Sequence, residues 1–205
     1  MRIAIINYNM GNLRSVENAL KRLSVDAYIT SAPDKIMGAD AVILPGVGAF
    51  ADGMYNILSL GLADAIRQAS ASKPFLGICL GLQLLFEYSM ESGKTEGLKI
   101  FKGSVEKIPA GVKVPHMGWN SIKITKTGPL FKGIEDGEHF YFVHSYHAVC
   151  RDISIVASIT HYGVDIVSSI QKGNIFAFQF HPEKSSGSGL KILSNFCDLV
   201  MKGKK

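Results

Sequence analysis

The sequence predicts an α/β protein: a three-layer sandwich around a mostly parallel central sheet, with an antiparallel-rich second half. Two observations carry this. Up to about residue 97, short apolar runs alternate with stretches of helical periodicity, the pattern of strands joined by crossover helices. Beyond it, short strands and turns dominate until one last helical face closes the chain. Composition agrees, since 47% of residues are apolar and 19% charged, which supports a core and argues against disorder.

The elements follow in order. Ile3 to Asn7 is a continuous apolar run, as in a strand covered on both faces, and it is too short for a signal sequence. Leu13, Val16, Ala19, Leu20 and Leu23 then recur at helical spacing. Val25 to Thr30 and Ala41 to Leu44 read as the second and third strands, the third ended by Pro45-Gly46-Val47-Gly48. Met54, Ile57, Leu58, Leu62, Ala65 and Ile66 mark a helical stretch with Gly61 as an interruption. Phe75 to Ile78 is the fourth strand. Later strands are expected at Leu98 to Phe101, Ser104 to Ile108, Ser121 to Thr125, Phe140 to His144, Ser154 to Ile159, Asp165 to Gln171 and Ile175 to Phe180. Leu190, Leu193, Phe196, Cys197 and Val200 share the face of a final helix. With no repeat, low-complexity stretch or linker, residues 1–205 are expected to form a single domain.

Several function classes recede. The net charge is +5, but Lys and Arg are scattered, and the one basic run, Lys202-Gly203-Lys204-Lys205, reads as a solvated tail. No nucleic-acid partner is expected. No segment approaches the ~20 apolar residues of a membrane span. The three cysteines, Cys79, Cys150 and Cys197, form no CxxC pair, a poor basis for disulfides or a metal site. A soluble, cytoplasmic protein with reduced thiols, no metal and no cofactor is the expectation.

Gly77-Ile78-Cys79-Leu80-Gly81 stands between the fourth strand and an apolar segment read as a helix (Leu82, Leu85, Phe86). This is a nucleophile elbow with sulfur in place of oxygen. Its glycines permit the sharp turn, a helix N-terminus favours thiolate, and the Leu80 amide is placed to donate to an oxyanion. A small buried cysteine is the ordinary alternative, and it suffices for Cys150 and Cys197. A cysteine nucleophile needs a base and a group to hold that base. Among six histidines His181 has the best setting. It follows a strand with Phe176, Phe178 and Phe180 on one face, and Pro182 biases it to extended backbone, which would put His181 and Glu183 on one side. The Gly46–Val47 peptide of the glycine-rich turn offers a second oxyanion donor through Val47. An ordinary turn explains that loop equally well taken alone, but no Walker or dinucleotide pattern accompanies it.

These three pieces, in this order, resemble the class I, triad-type glutamine amidotransferases, over essentially the whole chain. The resemblance implies that Cys79 attacks a glutamine carboxamide, with His181 as base and Glu183 as its orienter. It implies contacts to bound glutamine from Gln83 and Glu91, either of which is otherwise an exposed helix residue. Gly46, Gly48, His144, Ser145 and Tyr146 complete the expected substrate pocket. Tyr8-Asn9-Met10-Gly11-Asn12, Pro115-His116-Met117-Gly118-Trp119-Asn120 and Tyr141-Phe142-Val143-His144-Ser145-Tyr146 narrow the match to one member, in histidine biosynthesis. That member implies a separate subunit delivering ammonia to a cyclase, a (β/α)₈ barrel, in a heterodimer. The chain's end just after one domain fits this expectation. His116, Trp119, Tyr141 and Lys184 are then expected on the partner face or the ammonia passage. An amidotransferase subunit for anthranilate, pyridoxal phosphate or purine synthesis, a free-standing cysteine hydrolase and a non-catalytic binding module remain open at this point.

Overall fold

A computed structural model describes residues 1–203. The last two lysines of the expected solvated tail, Lys204 and Lys205, lie outside the described residues. The first half is built from β1 (Arg2–Ile6), α1 (Leu13–Arg22), β2 (Asp26–Thr30), α2 (Pro33–Met37), β3 (Ala41–Gly46), α3 (Phe50–Ser59), α4 (Ala63–Ser72), β4 (Phe75–Cys79) and α5 (Leu80–Gln83). The second half adds β5 (Tyr88–Ser89), β6 (Thr95–Glu96), β7 (Gly103–Lys107), β8 (His116–Ser121), β9 (Lys123–Ile124), β10 (His139–His144), β11 (Tyr146–Cys150), β12 (Val156–Tyr162), β13 (Val164–Lys172), β14 (Ile175–Phe178) and α6 (Ser186–Lys202).

The main sheet runs β2-β1-β3-β4-β14-β13-β12-β9. Its first four strands and β14 are parallel, and the rest are antiparallel, so the change of pattern along the chain is a change of direction within one sheet. Alternation on the inner strands makes the three layers. Ile3 and Ile5 of β1, Ala41 and Ile43 of β3, Leu76 and Ile78 of β4, and Phe176 and Phe178 of β14 face one core. That core is covered by Val16, Ala19 and Leu20 of α1 and by Ile192, Leu193, Phe196 and Val200 of α6. The alternate residues Val42, Leu44, Phe75 and Ala177 face the opposite core, under Phe50, Met54 and Ile57 of α3 and Leu62, Ile66 and Ala69 at α4. The expected break between these two helices falls at Gly61, whose φ of +65° ends α3. Ordered caps also set boundaries: the Asn12 side chain accepts from Ser15 N at 3.3 Å at the start of α1.

The structure departs from expectation in several places. Leu98 to Phe101 is not a strand; its amides donate to the carbonyls of Leu84, Phe86 and Leu85, so it is a loop folded under the elbow. The apolar segment after Cys79 is not a long helix, because α5 is a single turn of four residues. The helix α2 and the strands β5, β6, β8 and β11 lie outside the expected elements, the expected strand Ser121 to Thr125 being split between the end of β8 and β9. β7 and β11 join β5 and β6 in a second, four-stranded sheet, and β8 and β10 form a separate two-stranded ribbon.

Candidate active site

Cys79 ends β4 and opens α5, with φ +53° and ψ −109°. A non-glycine residue in that region is strained, and such strain concentrates where a side chain must be presented. The surrounding glycines are required by close approach. A β-carbon on Gly81 would stand 1.8 Å from the Leu44 carbonyl oxygen, and one on Gly77 would stand 3.0 Å from the Ala177 β-carbon. The elbow is thus wedged between β3 and β14. Because α5 has one turn only, its dipole contributes less to the sulfur than a full helix would.

His181 leaves β14 in extended conformation, φ −101° and ψ 95°, as its position before Pro182 dictates. Glu183 reaches it differently from the expected strand alternation: Pro182–Lys184 is a 3₁₀ turn that folds the carboxylate back. His181 Nδ1 and Glu183 Oε1 are 2.7 Å apart, both side chains 2% exposed. A carboxylate accepts, so Nδ1 carries a proton and Nε2 is left for chemistry; among the described residues nothing meets hydrogen-bond geometry at Nε2, and the charge that acts on the ring from the other side is that of Cys79. Burial disfavours the charged ring, but Cys79 and then Glu183 outweigh it and raise the pKa to about 10. A cationic ring is the form that can protonate a departing amine. Burial pushes the Cys150 and Cys197 thiols up to about 12.

The backbone of His181 is pinned from the ribbon. Its N–H donates to the Tyr141 carbonyl at 2.9 Å. The Ser185 hydroxyl donates to the His181 carbonyl at 2.6 Å and accepts from Tyr141 N at 3.0 Å. Phe180 stacks on Phe140 of β10 with centroids 4.3 Å apart.

A cleft of about 390 Å³ opens over the sulfur, lined by Val47, Gly48, Cys79 and Leu80 on one side. Gln83, Glu91, His144, Ser145, Tyr146 and Lys184, with Pro115 and Val143, line the rest of it. Of the expected pocket, only Gly46 stays outside, buried at the end of β3 opposite Cys79 in the strand register. Gln83 is not an exposed helix residue. Its Nε2 donates to the Tyr146 carbonyl at 2.8 Å and to Gln179 Oε1 at 3.1 Å, so it can offer only its oxygen to a bound molecule. Glu91, unlike Gln83, is not in a helix; its carboxylate accepts from Phe50 N at 2.6 Å, holding it at the cleft by the start of α3.

His144 Nδ1 lies 2.9 Å from the Tyr146 carbonyl and must donate to it. Its Nε2 therefore accepts from His116 Nδ1 at 3.0 Å, and His116 Nε2 accepts from Asn120 Nδ2 at 3.2 Å. Both rings are neutral, since burial lowers His144 to about 3 and His116 to about 4. His116, expected on the partner face or the ammonia passage, is buried and stacked on Tyr162 at 4.0 Å. Trp119 and Met117 are exposed on the same ribbon; Trp119 meets Tyr141 edge-on at 6.3 Å, and Lys184 Nζ lies 5.9 Å from the Tyr141 ring.

Sequence reasoning missed Gln179. It is fully buried, and its Nε2 lies 3.7 Å from Cys79 Sγ while its Oε1 accepts from Gln83. The available signal was a polar residue between Phe178 and Phe180 in an otherwise apolar strand. Among the described residues, no group of three or more His, Cys, Asp or Glu side chains is placed to hold a metal ion. No helix among them is long and apolar enough to cross a membrane.

Residues 4–199 match the family model of the class-I glutamine amidotransferases. The chain is 54% identical over 199 residues to the imidazole glycerol phosphate synthase subunit HisH of Moorella thermoacetica, covering 97% of this chain and 95% of that one. It is 50% identical to the HisH subunit of Aquifex aeolicus, over 96% of each chain. Solved structures share the fold at lower identity. PurLQS from Thermotoga maritima superposes with a TM-score of 0.76 at 20% identity, over 97% of this chain and 98% of that chain. A glutamine amidotransferase of the same organism gives 0.65 at 17%, over 100% and 85%.

Proposed function

The chain belongs to the class I glutamine amidotransferase family, and within it to the HisH subunits of imidazole glycerol phosphate synthase, and on that footing we propose how its site works. The protein hydrolyses glutamine to glutamate and ammonia, and supplies the ammonia to a partner subunit in histidine biosynthesis. The partner is a cyclase with a (β/α)₈ barrel, joined to this chain in a cytoplasmic heterodimer. There it forms imidazole glycerol phosphate and aminoimidazole carboxamide ribotide. Residues 1–205 act as a single domain.

One observation carries the chemical reading: a strained, wedged Cys79 beside a His181 whose Nδ1 is occupied by Glu183 and whose Nε2 is unpartnered. Cys79 Sγ attacks the carboxamide carbon, and the carbonyl oxygen takes the negative charge. The Leu80 and Val47 amides receive that charge. His181 gives its Nε2 proton to the departing nitrogen, the C–N bond breaks, and a thioester remains. His181 then takes a proton from water, whose oxygen attacks the thioester; the C–S bond breaks, glutamate leaves, and the Cys79 thiolate and protonated His181 are restored. Glu183 keeps the ring in one tautomer and stabilises its charge throughout. Gln83, Glu91, His144, Ser145 and Tyr146, with Gly46 and Gly48 shaping the loop, hold the substrate. His116, Trp119, Tyr141 and Lys184 lie at the cyclase face or along the ammonia passage.

The test is glutamate release by the assembled pair with the cyclase's ligand present. Cys79→Ala should abolish glutamine-dependent turnover while the pair still uses added ammonium. A variant that kept its glutamine rate would remove Cys79 from the nucleophile's role.

A further inference from the structure

Tyr8 lies just past the end of β1, fully buried, and its hydroxyl has no hydrogen-bond partner among the described residues. Buried hydroxyls are almost always satisfied, so an orphan asks for an explanation in another state of the molecule. Its neighbour suggests which. Tyr8 Oη packs so closely on Gly46 that a β-carbon there would stand 2.0 Å from it. Gly11 backs Gly46 too, its own β-carbon position being 3.3 Å from Gly46 Cα. Gly46 is the residue that β3 sets opposite Cys79, and its carbonyl shares a peptide plane with the Val47 N–H. Burial first, and the charge of Cys79 second, raise the Tyr8 pKa, so the hydroxyl keeps its proton. It is a donor without an acceptor, set against the peptide expected to stabilise the oxyanion.

We propose that Tyr8 is a positioning residue for the Gly46–Val47 peptide: its hydroxyl donates to the Gly46 carbonyl when the Val47 N–H is turned toward the oxyanion. A peptide carries its N–H and C=O on opposite sides. Turning the N–H to the cleft sends the carbonyl inward, where a buried carbonyl needs a donor. Tyr8 supplies one at no cost to any existing bond, and satisfies its own hydroxyl in the same step. The donor-ready orientation thereby becomes the one in which both groups are paired. This rests on the reading of the Val47 N–H as an oxyanion donor.

The experiment compares Tyr8→Phe with wild type in the assembled complex, by thermal unfolding and by glutamine- and ammonium-dependent turnover. The expected result is an unfolding midpoint equal or higher, because an unpaired polar atom has been removed. Glutamine-dependent kcat should fall about tenfold, or about 1.4 kcal/mol, the scale of one hydrogen bond. KM for glutamine and the ammonium-dependent rate should not change. A kcat within twofold of wild type overturns the proposal, and so does a fall in kcat accompanied by a lower midpoint, which marks a structural hydroxyl. Val47→Pro, which deletes the N–H itself, separates the two readings. If V47P retains the glutamine rate, the oxyanion reading fails; if V47P loses it and Y8F does not, only the role of Tyr8 fails.

Discussion

Gly81→Ala tests how tightly the nucleophile is wedged. The added carbon would stand 1.8 Å from the Leu44 carbonyl oxygen, where a carbon and a carbonyl oxygen normally approach to about 3.3 Å. About 1.5 Å must be found, and the obstacle is backbone in the middle of the main sheet, which cannot rotate away as a side chain would. Overpacking of this kind costs about 1–3 kcal/mol. For a domain of this size the midpoint should fall by about 2–12 °C. The catalytic cost should be larger, because the adjustment separates β3 from the elbow and so Gly46 from Cys79, which the register sets opposite each other. A misplacement of ~1 Å is worth about 10²-fold in rate. Thermal unfolding and glutamine-dependent turnover of the assembled pair measure both. Gly187→Ala is the control, since a β-carbon there meets nothing within 4 Å and it lies in α6, where alanine is favoured by about 0.5–1 kcal/mol. A Gly81→Ala protein with wild-type midpoint and turnover would refute the wedge.

Glu183→Gln should lower kcat by about 10²–10⁴ with little change in KM, because the charge that supports the His181 cation is lost; kinetics of the pair check it, and an unchanged kcat would deny Glu183 its role. Gln179→Leu removes the amide beside Cys79 Sγ and one acceptor of Gln83, and should slow both glutamine turnover and labelling of Cys79 by a glutamine-like electrophile about tenfold, the scale of one buried hydrogen bond; equal labelling rates would make Gln179 a structural residue only. Stability should peak near pH 6.5. His181 is raised in the folded protein to about 10 from 6.5, so its contribution is full below pH 6.5 and is lost as pH rises through about 10. His116 and His144 are lowered to about 4 and about 3, so their contribution is full above 6.5 and is lost as pH falls through those values. Unfolding midpoints across this range provide the check, and a midpoint that climbs from pH 7 to pH 9 would contradict it.

The parallel half was legible because its strands are covered on both faces and its helices are amphipathic, so periodicity alone separates them. α2 escaped because five residues with one buried side chain, Ile36, make no period. Leu98 to Phe101 misled for the opposite reason. It is apolar because it packs beneath the elbow, and its amides bond to the elbow's carbonyls instead of a neighbouring strand. Cys79, His181 and Glu183 stood out because each sits in a short local pattern whose geometry can be reasoned in isolation. Gln179 and Tyr8 did not, since what matters about them is the company they keep, a hundred residues away at Cys79 and about forty at Gly46. His116 and Met117 stand side by side in the sequence, but strand alternation turns His116 inward and Met117 outward, which only the paired ribbon makes visible.

The two halves of the candidate triad leave neighbouring strands of the main sheet, Cys79 at the end of β4 and His181 just past β14. The backbone of His181 has a second attachment, to Tyr141 on the β8–β10 ribbon. That attachment is a joint between sheet and ribbon, seated by Phe140 and Phe142 of the ribbon against Phe180. Such a joint can be trued or thrown out of line by residues that never approach the substrate. The outer side of the ribbon carries Trp119 and Met117, and its inner side meets the base through the Tyr141 carbonyl and the sulfur through the Val143 carbonyl, 3.9 Å from Sγ. A change to that bearing surface therefore retunes the site while leaving the reactive groups as they are.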